Sequence, residues 1–129
     1  INFITAHVVY LTCGFHHGFR AGGGENDVRR GNVKLYKTTT DKAELLIENL
    51  ETAQSFLSRA KGLLGRKEMS AQQALWIKPC NNIHTFFMSF AIDCVFLDKE
   101  MKIRNIVPDV TPYKLIGPFW KSSSVIEFK

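Results

Sequence analysis

Ile92-Asp93-Cys94-Val95-Phe96-Leu97-Asp98-Lys99-Glu100-Met101-Lys102-Ile103-Arg104-Asn105-Ile106-Val107 is the stretch that decides the fold. Residues 92–97 are apolar strand formers around one carboxylate, residues 102–107 alternate, and Asp98-Lys99-Glu100 between them is turn material. A strand, a tight turn and a second strand are predicted. Upstream, residues 74–78 predict a short strand ended by Pro79, which has no N–H to give a ladder. Residues 83–90 predict a Phe-rich strand, and residues 124–128 a last one. Between residues 108 and 120, Pro108, Pro112, Gly117 and Pro118 break the chain into an irregular segment.

Further out, Val33-Lys34-Leu35-Tyr36-Lys37 alternates apolar with basic, the pattern of a half-buried strand, and residues 43–47 predict its hairpin partner. One helix interrupts the β character. Ala53, Phe56, Leu57, Ala60, Leu63 and Leu64 recur at spacings of three and four and form one apolar stripe. Thr52 or Asn49 is the expected N-cap, and Gly62 and Gly65 offer left-handed positions to end the helix. Arg59, Lys61, Arg66 and Lys67 gather near its C-terminal end, where cations complement the helix dipole. Were Arg59 and Arg66 to point into a cleft, they would form an anion contact. The fold class expected is α+β, mainly β: a compact antiparallel sandwich- or barrel-like sheet with one packed amphipathic helix.

With 129 residues, 45% of them hydrophobic, and ten Phe, the chain can build one real core. A net charge of +5 favours acidic partners, but no block of five like charges occurs, so the sequence offers no basic stripe for nucleic acid. Three irregularly spaced cysteines, Cys13, Cys80 and Cys94, form no even disulfide set and suit a reducing, cytoplasmic setting. No apolar run reaches the roughly 18 residues of a membrane span, and a soluble protein is expected. Residues 1–11 are apolar enough for a strand and lack a basic leader and cleavage site. Residues 14–31, with His16-His17 and three consecutive glycines, have the composition of a flexible linker. An N-terminal arm of residues 1–31 and a β-rich domain of residues 32–129 are therefore expected, the arm either poorly ordered or adding a strand.

Nearly all the residue types that do chemistry fall in residues 80–98. As a pocket, Asn82, His84, Thr85 and Asp93 would be polar groups in an aromatic wall of Phe86, Phe87, Phe90 and Trp120. As a metal centre, Cys80, His84 and Met88, four apart, would form a soft ligand set suited to copper. As a thiol enzyme, Cys80 would be the nucleophile, His84 the base and Asp93 the orienting carboxylate, provided Asn81-Asn82 turn the chain. Asp93 lies within an apolar strand and must be paired or hydrogen-bonded. Arg59 and Arg66 are the expected partners.

Residues 58–66 (SRAKGLLGR), 79–88 (PCNNIHTFFM) and 92–98 (IDCVFLD) resemble, in that order, the successive signatures of the prokaryotic uncharacterised ACR domain, domain of unknown function 192. The resemblance covers residues 33–128. It implies a compact, mainly β domain with one helix and no established activity. By likeness, the positions to watch are Arg59, Gly62, Arg66, Cys80, His84, Met88, Asp93 and Asp98. Lys99-Glu100-Met101 stands where the family tends to place a glycine, which predicts a looser hairpin. Family members usually continue past the position of Glu127 through a Pro-Ala-Gly-like turn, so any pocket wall built there is expected to be missing.

The function expected is a non-catalytic module that binds a small ligand or a protein partner around His84, Thr85 and Asp93, with Asn82, Arg59 and Arg66 contributing. The alternatives are an enzyme or soft-metal site on Cys80, His84, Met88 and Asp93, and an interaction module that forms a homodimer through an exposed C-terminal sheet edge. The cofactor, if any, is not legible.

Overall fold

The computed structural model describes residues 8–13, 33–38 and 43–129. The Gly-rich linker and His16-His17 lie outside them. The described chain is mainly β with one short helix, and its main sheet curls into a half-barrel. In chain order the elements are β1 (Val8–Cys13), β2 (Val33–Thr38), β3 (Ala43–Ala53), α1 (Phe56–Lys61), β4 (Gln73–Ile77), β5 (Ile83–His84), β6 (Ile92–Leu97), β7 (Ile103–Val110), β8 (Leu115–Ile116) and β9 (Ser124–Phe128). Seven strands form one sheet in the order β1-β2-β3-β4-β9-β6-β7, and β5 and β8 form a small second pair.

The hairpins read from alternation are present. β2 pairs antiparallel with β3, and β6 with β7. β1, from the arm, adds a strand by pairing antiparallel with β2. The turn after β6 is pinned rather than loose. Asp98 Oδ1 accepts the N–H groups of Glu100 and Lys102, both at 2.9 Å, and Oδ2 pairs with Arg104. Met101 takes the left-handed conformation (φ 62°) that a glycine would fill without strain.

β3 and β4 run parallel, so the chain must cross over between them. That crossover contains α1, and it corrects the expected helix. Because β3 continues to Ala53 to pair with Ile77, the helix starts late: Ser55 is the N-cap, its Oγ accepting the N–H of Ser58 at 3.1 Å, in place of Thr52 or Asn49. Gly62 (φ 45°) ends the helix after six residues. No α1 residue is buried, and Phe56 and Leu57 are 74% and 78% exposed. The apolar residues that seal this side, Leu63 and Met69, follow the helix in the crossover.

The strand expected over residues 83–90 is only two residues long. Thr85 diverts it: its Oγ1 donates to the Thr111 carbonyl at 2.7 Å and accepts the Lys114 N–H at 2.9 Å. The chain then turns through Phe87 (φ 62°).

The C-terminal strand is also placed differently from the expectation of a free edge. β9 lies between β4 and β6, hydrogen-bonded on both sides, with all five residues buried. The edges of the described main sheet are β1 and β7, so a homodimer built by edge pairing would have to use one of these.

Pleating sorts the core into two layers, since successive side chains leave opposite faces. Leu75, Ile77, Ile92, Cys94, Phe96 and Val125 pack with Leu63, Met69, Ile83 and Met88 on the face under the crossover. Ala74, Val95, Leu97, Ile126 and Phe128 pack with Leu35, Ile47 and Leu50 on the other. Phe96 and Phe128 are fully buried, each worth about 1.5–3 kcal/mol in apolar burial.

Candidate functional site

On the crossover face, between the α1–Leu64 stretch and the segment of residues 79–84, lies a cleft of about 640 Å³. Small-molecule sites usually fall between about 300 and 1,000 Å³. Its apolar wall includes Phe56, Leu63, Leu64, Ile83, Met88 and Leu115, and its polar groups include Arg59, Cys80, Asn82, His84, Ser122 and Glu127.

Arg59 comes from the last turn of α1, where its Nη1 donates to the Gln54 carbonyl at 3.0 Å. The 79–84 segment is held against the rest of the fold by backbone bonds from Cys80 N–H to the Ser123 carbonyl (2.9 Å) and from Phe119 N–H to the Asn81 carbonyl (2.8 Å). Gly117 makes this approach possible. Its φ is 97°, and a Cβ there would lie 2.7 Å from the Asn81 carbonyl oxygen and 3.0 Å from Asn82. His84 is exposed at the edge of the cleft, stacked on Phe86 with ring centroids 5.5 Å apart.

Cys80 is half-buried and its Sγ donates to the Asn82 carbonyl at 3.0 Å. Burial pushes the thiol above its ordinary value, and the Asn82 hydrogen bond only partly opposes this. The group is therefore a thiol at neutral pH. Cys80, His84 and Met88 do share the cleft, as a soft-metal set requires. Among the described residues, no three of the His, Cys, Asp and Glu side chains converge as a metal-holding group.

Three of the site residues expected from the sequence stand outside the cleft. Thr85 is fully buried and joins residues 83–88 to residues 111–115 through its side chain and backbone, the Tyr113 N–H donating to its carbonyl at 2.9 Å. Asp93 leaves β6 on the face opposite Cys94, alongside Val95 and Leu97, and accepts the Asp109 N–H at 2.8 Å. Neither arginine reaches it. Arg66 instead forms a two-pronged pair with Glu51, Nη1 to Oε1 at 3.0 Å and Nη2 to Oε2 at 2.6 Å. That pairing holds the guanidinium above its ordinary range.

Sequence reasoning missed Glu127 and Ser122. Glu127 leaves β9 on the same face as Val125, which packs in the crossover layer, and its directly opposed neighbours are Leu75 on β4 and Cys94 on β6. It is 4% exposed, and burial drives its carboxyl up to about 7 against the opposing field of Arg66. The signal was present: in Ser124-Val125-Ile126-Glu127-Phe128, a carboxylate sits among apolar residues just as Asp93 does in β6.

Two solved structures share the fold. A protein of unknown function from Novosphingobium aromaticivorans DSM 12444 superposes with a TM-score of 0.65 at 18% identity, over 88% of each chain. A candidate transcription regulator from Sinorhizobium meliloti 1021 does so with a TM-score of 0.60 at 19% identity, over 68% of this chain and 71% of that one. At these identities the likeness is one of fold. No curated protein matches the chain. The sequence profile of the uncharacterised ACR family, domain of unknown function 192, matches residues 36–129, which span the crossover and every wall of the cleft. The chain belongs to the uncharacterised ACR family, domain of unknown function 192.

Proposed function

We propose that the protein is a non-catalytic binding module that holds a small ligand in the cleft between α1–Leu64 and residues 79–84. The observation that carries this is the cleft itself, about 640 Å³ with apolar walls into which Arg59, Cys80, Asn82, His84 and Glu127 converge from separate parts of the chain. A few polar groups meeting in an apolar concavity fix a ligand's orientation while its body is desolvated. Thr85 contributes indirectly, by fixing the segment that bears His84 and Met88. The protonated, hydrogen-bonded thiol of Cys80 favours binding over nucleophilic catalysis, which needs the thiolate. Cys80 and Cys94 are both free, which supports a reducing cytoplasmic setting.

Native mass spectrometry of the gently purified protein, compared with its denatured mass, tests this. The expected result is extra mass that leaves on denaturation, with Asn82→Ala and His84→Ala each weakening its retention by about tenfold, the equivalent of one lost hydrogen bond in a desolvated site. Extra mass that both variants retain at full occupancy would place the ligand elsewhere and defeat the proposal.

A further inference from the structure

Glu127 serves no evident structural purpose. It stands in an interior strand, and none of the hydrogen bonds or ion pairs among the described residues reaches its carboxylate. The opposite charge acting on it is Arg66, whose two terminal nitrogens are engaged by Glu51. A second polar group is left in the same condition: the Ser122 hydroxyl lines the same cleft, its residue is 8% exposed, and its oxygen has no hydrogen-bond partner. Burying a carboxylate without a partner is costly, and an apolar residue at this position would avoid the cost. Two partnerless buried polar groups lining one cleft indicate what its occupant must supply, namely hydrogen-bond donors and positive charge.

We propose that the cleft takes an amphipathic organic cation, a small amine whose ammonium group pairs with the Glu127 carboxylate and whose apolar body lies against Leu63, Leu64 and Met88. This deepens the ligand-binding proposal above and rests on it. An ammonium has three donors, enough for the carboxylate and the Ser122 hydroxyl together. Anionic headgroups are disfavoured there, because like charges at low dielectric repel strongly. The other groups near Glu127 do not supply its missing charge. Arg66 is occupied by Glu51, Arg59 donates to the Gln54 carbonyl from the wall, the Cys80 and Cys94 thiols are neutral, Asp93 acts from the opposite face of β6, and His84 is exposed at the cleft edge.

Since Glu127 ionises near pH 7, affinity for the amine rises with pH up to that point, by about tenfold per unit below it, and then levels off. The test is a titration of the intact chain with n-hexylamine, n-hexanol and hexanoate at pH 6 and pH 8, followed by the backbone amide NMR shifts of Cys80, Ser122 and Glu127. The amine is expected to bind saturably, tighter at pH 8, and at least about tenfold tighter than hexanoate, which corresponds to one charge-assisted contact. Glu127→Gln, nearly isosteric, should abolish both the preference for amine and the pH dependence while leaving n-hexanol binding intact. If n-hexanol binds but the amine gains nothing over it, or Glu127→Gln changes nothing, the cation inference falls and the ligand-binding cleft survives. If no probe produces a saturable shift in either protein, both fall.

Discussion

Thr85 extends the short β5–β8 pairing, tying residues 83–88 to residues 111–115. Its hydroxyl lies between the Thr111 carbonyl and the Lys114 N–H, and its main chain accepts from Tyr113 and donates to Lys114. Thr85→Val keeps the shape and removes the hydroxyl, leaving the Thr111 carbonyl and the Lys114 N–H without their partner. The expected loss is about 1–2 kcal/mol of unfolding free energy, measured by urea titration, with the 111–115 amides losing exchange protection first. Polar residues within apolar runs were visible in the sequence at Thr85, Asp93 and Glu127, but which one faces a cleft was not. Strand parity decides it for Asp93 and Glu127, and parity follows only when a neighbour's face is known. For Thr85 the deciding partner is 26 residues away in Thr111, and no local pattern encodes such a separation.

Elements read from local periodicity survived where local chemistry determined them. The β6–β7 hairpin is the best case, since Asp98 organises the turn from within it, β6 is a short run of apolar strand formers and β7 carries its own alternation. Burial raises the Asp98 carboxyl, but hydrogen bonds from Lys102 and Arg104 outweigh it and hold the group below its usual range. Met101 is the one strained residue in this turn. Met101→Gly relieves the left-handed conformation, and a gain of about 0.5–1 kcal/mol is expected after the added flexibility of the unfolded chain is deducted, read as a higher urea midpoint. An unchanged or lowered midpoint would mean that the Met101 side chain compensates by packing against Val95, Leu97 and their layer. The helix was legible only in part. Of its stripe at 53–64 only Phe56, Leu57 and Ala60 lie in α1, because Ala53 is taken by β3 in parallel pairing with β4 and Leu63 and Leu64 follow Gly62, and parallel pairing leaves no trace in the periodicity of either strand. The consequence is a helix with exposed Phe56 and Leu57 beside the cleft, and a seal made by Leu63 and Met69 downstream.

Across the whole molecule, the pH profile of stability should carry the mark of Glu127. Its carboxyl is raised in the folded chain to about 7, from an ordinary value of 4.5. Between those two values the folded state holds a proton that the unfolded state has lost, so stability falls as pH rises across this window and is level above it. The drop amounts to about 3 kcal/mol at most, at roughly 1.4 kcal/mol per pH unit. Unfolding midpoints taken from pH 4.5 to 8 should show this decline, and Glu127→Gln should flatten it. A wild-type profile flat through that range would mean that the carboxylate is paired in solution. The sheet order itself also bears on how the protein comes into being. β9 is the last strand in chain order, yet it fills the slot between β4 and β6. On a ribosome, β1 to β4 can associate early and β6 can meet β7, but these halves share no ladder until residues 124–128 emerge. From the completion of β6 until residues 124–128 emerge, the nascent chain therefore displays two unpaired strand edges, those of β4 and β6, which makes the arrival of β9 the moment at which two separate sheets become one.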